Sequence, residues 1–358
     1  MILTYKILHN RDFTTELLKA MKVAIYAIQH KNCRTTKAVK HLGLKACIAN
    51  QILKKYGGNK KIKNIHSVKL TINGYFVKVN QEKREINIPS LKLKLNYLFP
   101  NNFIKLNQIE IDNKYCYISV KIKDNEQIIY NNSIGIDRNT TGHCAVIAIP
   151  HTGKVIKLGK KAFHIHRKYK KIRTMLQKAN AKKMLKKIRK RESNIIKDIN
   201  HKISRKIVNI ALENKCNIKL EDLSGIRNSK GGKNTKKGKS GESFKSSINT
   251  WEFYQLQTLI EYKAKICGIK VIYIDPKYTS QKCSKCGRIG NRNGKKFVCT
   301  NNNCKHVDHA DSNAAFNIAA LELKDNKESN GQLLIERDIN KGSTETPQLG
   351  TQLIRKVA

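Results

Sequence analysis

The stretch Cys283-Ser-Lys-Cys286-Gly, followed by Cys299-Thr-Asn-Asn-Asn-Cys304 and then Asp311-Ser-Asn-Ala-Ala, decides how this chain is read. Its cysteines form two close pairs, C-x2-C and C-x4-C, with twelve residues between them. Thiolates paired in this way grip opposite edges of a tetrahedron and leave no position for water, the chemistry of a closed, structural Zn2+. The expected ligands are Cys283, Cys286, Cys299 and Cys304, with Gly287 turning the backbone after the first pair. His306 and His309 remain rival ligands, although four cysteines already fill the tetrahedron. Seven residues past the last cysteine, Asp311 opens a helical pattern over 311–323.

Upstream, residues 133–137, 144–149 and 154–158 read as three successive strands, with turns at Thr141-Gly142 and Thr152-Gly153. Residues 160–215 are helical and densely basic, and 218–220 is a short buried strand ending in Glu221-Asp222. A Gly, Ser, Lys and Asn segment at 228–247 cannot bury a core and is expected to be a mobile loop, a candidate lid. A helix over 251–267, stopped by Gly268, and a strand over 269–274 complete the order β-β-β-helix-β-helix-β-helix. That is the order of an RNase H-like domain, in which the first and fourth strands are neighbours and the last helix crosses beside them. Asp137, Glu221 and Asp311 then converge although far apart in sequence.

Each acid alone has an ordinary reading as a turn or helix-start residue. Together in a partly buried cleft they would repel one another by several kcal/mol. Two Mg2+ ions about 3.5–4 Å apart would cancel that repulsion, activate a water and stabilise the leaving oxygen of a phosphodiester. Asp222 is the near rival of Glu221, but strand alternation turns it to the opposite face; Asp275 and Asp308 are rivals of Asp311.

In the N-terminal third, residues 2–8 read as a strand and Thr14 or Thr15 starts a helix with Leu17, Leu18, Met21, Val23, Ala24 and Ala27 at helical spacing. A second helical pair breaks at Gly43 and ends at Gly57-Gly58. From 67 to about 123 the pattern alternates with period two, and Asn73-Gly74 predicts a hairpin turn between its first two strands. The expectation is an antiparallel β-barrel over 1–10 and 60–130 carrying a helical insertion over 11–59. Residues 131–282 and 305–325 would form the RNase H-like core, 283–304 the cysteine module and 326–358 a poorly ordered tail.

The 358 residues contain 72 Lys plus Arg against 26 Asp plus Glu, a formal charge of +46. A genome-wide taste for Lys, Asn and Ile inflates the lysine count but does not explain the scarcity of acids. A polyanion does, because each neutralised phosphate releases condensed counterions. No run of about 18 apolar residues exists to span a bilayer, so no membrane partner is expected. Cys33, Cys47, Cys116, Cys144, Cys216 and Cys267 are scattered singly in apolar or mixed surroundings, as reduced thiols are, which points to a cytoplasmic location.

Five segments carry a family resemblance: Gly135-Ile-Asp137; Leu220-Glu221-Asp-Leu223; Trp251-x-Phe-x-x-Leu with Tyr262-Lys-Ala-Lys; Pro276-Lys-Tyr-Thr-Ser-Gln-Lys-Cys-Ser-Lys-Cys-Gly287; and His309-Ala-Asp-Ser-Asn-Ala-Ala-Phe-Asn-Ile318. The chain resembles the TnpB family of RNA-guided nucleases encoded by insertion sequences, relatives of type V CRISPR effectors and of Fanzor. The resemblance implies an α/β multi-domain protein: a RuvC-type nuclease core with an inserted zinc ribbon, and a wedge barrel with a helical recognition insertion. It implies catalysis by Asp137, Glu221 and Asp311 with Mg2+, and Zn2+ on the four cysteines. The implied partners are a guide RNA from the element's end and double-stranded target DNA read beside a short flanking motif. Two departures stand out: Arg138-Asn139 where the family has an apolar residue and Gly, and His309-Ala310 where it has an acid and Arg. A catalytically weak RNA-guided DNA-binding regulator and a strand-transfer transposase are the alternatives.

Overall fold

The structure, a computed structural model, describes residues 1–30, 35–59, 62, 64–223 and 253–321. Two compact units part between Lys123 and Asp124. The expected loop at 228–247, the tail at 326–358, Cys33 and Trp251 lie outside the described residues.

The first unit begins with β1 (Ile2–Leu8), α1 (Thr14–Gln29) and α2 (Ala46–Tyr56). Between the helices, Thr36–Leu42 is a 3-10 turn rather than the expected α-helix, closed by Gly43 at φ +67°. β2 (Leu70–Asn73), β3 (Lys78–Asn80), β4 (Glu85–Ile88), β5 (Leu93–Asn96), β6 (Phe103–Ile111) and β7 (Tyr115–Ile122) follow. They form two antiparallel sheets, ordered β1-β7-β6-β2 and β3-β4-β5. Helical spacing puts Ala20, Val23, Ala24 and Ala27 of α1 and Ile48, Ile52 and Leu53 of α2 on buried stripes, packed in one core with Ile72, Ile109 and Ile118 of the sheet. Each fully buried isoleucine or leucine contributes about 1.5–3 kcal/mol.

The hairpin expected at Asn73-Gly74 does not form. β2 pairs with β6 and β3 with β4, so the two strands belong to different sheets. The Asn73 side chain accepts a hydrogen bond from the Tyr75 amide and starts a 3-10 turn over Gly74–Phe76 instead. Gly74 is needed for close approach, not for positive φ: a Cβ there would collide with the Leu106 carbonyl oxygen.

The second unit holds β8 (Asn132–Arg138), β9 (Ala145–Ile149), β10 (Lys154–Leu158), α3 (Lys160–Lys178), α4 (Lys182–Glu213), β11 (Cys216–Glu221), α5 (Phe253–Ile266) and β12 (Val271–Ile274). A small module of β13 (Gly290–Asn293), β14 (Lys296–Cys299) and β15 (Val307–His309) leads directly into α6 (Ala310–Ala320). The main sheet has the order β10-β9-β8-β11-β12, antiparallel across β8, β9 and β10 and parallel across β8, β11 and β12. The first and fourth strands of this unit are therefore neighbours, as the element order requires.

Strand alternation separates the two faces of that sheet. Ile134, Ile136, Ile147, Ile218 and Leu220 pack with Ile203, Ile207 and Val208 of α4 and with Leu256 and Ile260 of α5. Val146 and Ala148 pack with Ala315 of α6 on the other side. Gly135 belongs to the α6 side: a Cβ there would collide with the Ala315 carbonyl and the Ala319 amide, and stand 2.9 Å from Ala319 Cα. Lys219, also on this side, donates to the Ala319 and Leu321 carbonyls at 2.8 and 2.7 Å, placing an ammonium at the negative end of the helix. The first half of α4 keeps Lys182, Lys183, Lys186, Lys187, Lys190 and Arg191 exposed. Among the described residues, no helix is long and apolar enough to cross a membrane.

Candidate active site and metal centre

The alternation that turns Gly135 toward α6 turns Asp137, two residues on, the same way, and Glu221 follows Asn217 and Lys219 onto that face of β11. Asp311 sits in the first turn of α6, whose amide it lends to His309 Nδ1 at 3.3 Å, so the helix begins with its acid fixed. Asp137 and Asp311 are buried and Glu221 is half-buried. Burial first, then the neighbouring Glu221, pushes the Asp137 carboxyl up to about 7, with Asp311 adding to the effect. Burial likewise raises Glu221. The three sequence-selected acids thus stand within electrostatic reach of one another, drawn from two adjacent strands and the helix across them.

Each acid has its own partner. Asn139 Nδ2 donates to Asp137 Oδ2 at 2.7 Å, and Thr279 Oγ1 donates to Glu221 Oε1 at 2.6 Å. Asp311 is paired with Lys295 Nζ at 2.6 Å and Arg292 at 3.2 Å, both from the β13–β14 hairpin. Arg138, buried on the opposite side of β8, donates to the Glu221 carbonyl at 2.6 Å and to Gln257 Oε1 at 2.9 Å, riveting β8 to β11 and α5. The unusual Arg138-Asn139 pair therefore has two separate tasks: one residue ties the strands together beneath the acids, the other orients an acid. Arg292, Lys295 and Thr279 were not singled out from sequence. Of the rivals, Asp222 is exposed, and Asp275 is bound up with the amide and ammonium of Lys277.

Hard carboxylate oxygens suit Mg2+, and burial is the main reason that Asp137 and Glu221 are both raised, with Arg292 acting against the shift at each. Among the described residues the three acids do not form a close ligand group like the cysteines, and Asp311 is ion-paired with the hairpin.

The cysteines do form one. The Sγ atoms of Cys283, Cys286, Cys299 and Cys304 all lie within 4.8 Å of one another. Cys283 and Cys304 are 3.8 Å apart, Cys286 and Cys299 3.5 Å. A Zn–S bond of about 2.3 Å gives a tetrahedral edge of about 3.8 Å, so the set fits the ion. The Arg288 amide, with hydrogen bonds involving Cys299, Asn301 and Cys304, holds Cys286 below the usual thiol value. His306 and His309 are not members of this set. The remaining described cysteines (Cys47, Cys116, Cys144, Cys216 and Cys267) are free thiols.

The chain is similar in sequence to several known proteins. Residues 253–318 match the Cas12f1-like TNB domain model. The CRISPR-associated endodeoxyribonuclease Cas12f1 of Sulfoacidibacillus thermotolerans is 42% identical over 141 residues, 38% of this chain and 30% of that protein. A TnpB-like protein of Methanocaldococcus jannaschii is 35% identical over 176 residues, 46% of this chain and 60% of that protein. The Cas12f2 endodeoxyribonuclease of a Micrarchaeota archaeon is 29% identical over 311 residues, 74% of this chain and 56% of that protein. The chain thus spans less than two thirds of each of these relatives. By these matches the chain is similar to TnpB-like and Cas12f proteins, and its residues 253–318 to the Cas12f1-like TNB domain.

Proposed function

We propose that this chain is an RNA-guided, Mg2+-dependent DNA endonuclease associated with a transposable element. The observation that supports the reading is that Asp137 and Glu221 end adjacent strands on one face, with Asp311, in the first turn of α6, near enough to act on the Asp137 carboxyl. In this reading residues 131–282 and 305–325 are an RNase H-like, RuvC-type core, 283–304 is a zinc ribbon, and the first unit is a wedge barrel with a recognition insertion. The three acids would hold a pair of Mg2+ ions, which would supply an activated water and stabilise the leaving 3′ oxygen. Asn139 and Thr279 hold two of the acids, and Arg292 and Lys295 bring positive charge to the place where a phosphate would enter.

The exposed ammonium and guanidinium groups of α4 suit the backbone of a guide RNA or its duplex with the target. Base pairing would choose the target, leaving the protein a short flanking motif on the double-stranded DNA to read. The names of the Cas12f relatives, endodeoxyribonucleases, support DNA as the substrate.

The test is to purify the protein with RNA co-expressed from its flanking DNA and incubate it with Mg2+ and a plasmid library randomised beside the target. Wild type should cut and Asp137→Ala should not. Undiminished cutting by Asp137→Ala refutes the assignment, a bound but uncut target would mark a regulator, and joined strands a transposase.

A further inference from the structure

The acids are contributed by distant parts of the chain, and the segment running from Thr279 into the first cysteine pair touches two of the elements that carry them. Thr279 is buried, and its hydroxyl reaches Glu221 Oε1 at 2.6 Å. The Pro276 carbonyl is also 3.0 Å from this oxygen, but a hydroxyl has one proton and a carboxylate is the stronger acceptor. Threonine is stiff about χ1, so a buried Thr279 offers its proton in a fixed direction. Glu221 reaches the cluster through a longer side chain than either aspartate and has the most rotational freedom to lose.

The other side of the segment is held by α6. Asn317 Nδ2 donates to the Thr279 carbonyl at 2.8 Å and to the Lys282 carbonyl at 2.7 Å. Asn313, fully buried, donates to the same Lys282 carbonyl at 2.7 Å and accepts from the Ser284 amide at 2.8 Å. Asn313 and Asn317 are four residues apart and so share one face of the helix whose first turn carries Asp311. The hydrogen bonds run Glu221, Thr279, Asn317, then along the helix to Asp311, with Cys283 on the same tethered segment.

We infer that Thr279 is a positioning residue for the acidic cluster: its hydroxyl fixes the Glu221 carboxylate, and the Asn313–Asn317 clamp fixes Thr279 relative to Asp311. This rests on the reading of Asp137, Glu221 and Asp311 as a divalent-ion site. Partners that orient ligating carboxylates are worth about 10–100-fold in metal affinity. The clamp also gives hydrogen-bond partners to two asparagines inside a helix, one fully buried and one half-buried.

The experiment is calorimetric titration of Mn2+ into the full-length, zinc-loaded protein without nucleic acid, for wild type, Thr279→Val, Thr279→Ser, Asn317→Ala and Glu221→Gln. Thermal unfolding is followed in parallel. Thr279→Val, which keeps the shape and loses the proton, should weaken Mn2+ binding about tenfold, and Thr279→Ser should stay within about threefold of wild type. Asn317→Ala should weaken binding by several-fold, by releasing the segment. In the cleavage assay, Thr279→Val should raise the Mg2+ concentration for half-maximal rate while the rate at saturating Mg2+ stays within a few-fold. Wild-type Mn2+ affinity in Thr279→Val, or equal losses in Thr279→Val and Thr279→Ser, overturns the inference. If Glu221→Gln loses Mn2+ and Thr279→Val does not, the positioning role alone fails. If Glu221→Gln binds Mn2+ like wild type, the divalent-ion reading fails with it.

Discussion

Lys295 Nζ lies 2.6 Å from Asp311 Oδ2, so the acid that opens α6 is neutralised by an ammonium from the β13–β14 hairpin. A divalent ion on Asp311 has to displace that ammonium or share the carboxylate with it. Lys295→Met should therefore bind Mn2+ more tightly than wild type, while the metal-free protein loses about 1–2 kcal/mol because a buried carboxylate loses its nearest cation and keeps Arg292 and the more distant His309. Titration calorimetry and thermal unfolding, each with and without Mn2+, read the two opposed effects. An unchanged Mn2+ affinity would count against the competition.

Gly135→Ala tests the closeness of α6 to β8. The new Cβ meets backbone atoms of Ala315 and Ala319, which cannot turn aside as a side chain would. The expected cost is about 3 kcal/mol or more, read as a lowered midpoint in urea. A variant as stable as wild type would mean that the helix does not rest on this strand.

Lys263 in α5 predicts a pH dependence far from the acids. It is buried against α4, donating to the His201 carbonyl at 2.5 Å and to Ser204 Oγ at 2.6 Å. Burial first, then Arg205, pulls its ammonium down to about 7. In the unfolded chain the same amine keeps its proton to about pH 10.4. Between those values the unfolded state binds more protons, so this residue makes stability rise with pH, and its cost is fully present below about 7. Urea denaturation of wild type and Lys263→Met from pH 7.5 to 9.5 should show the wild type gaining on the variant. Parallel curves would contradict the shift.

Stripping zinc with a chelator, or substituting Cys299→Ser, should loosen β13–β15 and, through the direct β15–α6 junction, the start of α6. Hydrogen exchange should lose protection over residues 281–312 and leave residues 1–123 unchanged. Elemental analysis should find one zinc per chain before treatment. Full protection after complete zinc loss would show that the small sheet stands without the ion.

The main sheet and its acids were legible because they rest on robust signals: buried strands, a helix-opening aspartate, and an element order with few foldings open to it. Asp137, Glu221 and Asp311 follow from that order with no knowledge of side-chain contacts. Arg292, Lys295 and Thr279 do not. With 72 basic residues in the chain, no pattern distinguishes the two that meet Asp311 from those that face solvent. Thr279 gave no periodic signal because its value lies in one hydroxyl contact across 58 residues. Asn73-Gly74 misled for a physical reason: the asparagine side chain accepts from the Tyr75 amide and starts a 3-10 turn, with Gly74 close against the Leu106 carbonyl.

The passage from β15 to α6 has no slack: the strand ends at His309 and the helix starts at Ala310. Adding a single residue there would rotate everything downstream by about 100° around the helix axis. Asp311 would then face away from Asp137, while the cysteine cage upstream stayed whole. The spacing between cage and carboxylate is thus a matter of angular phase, and an insertion at this joint should misplace Asp311 and the packed face of α6 together.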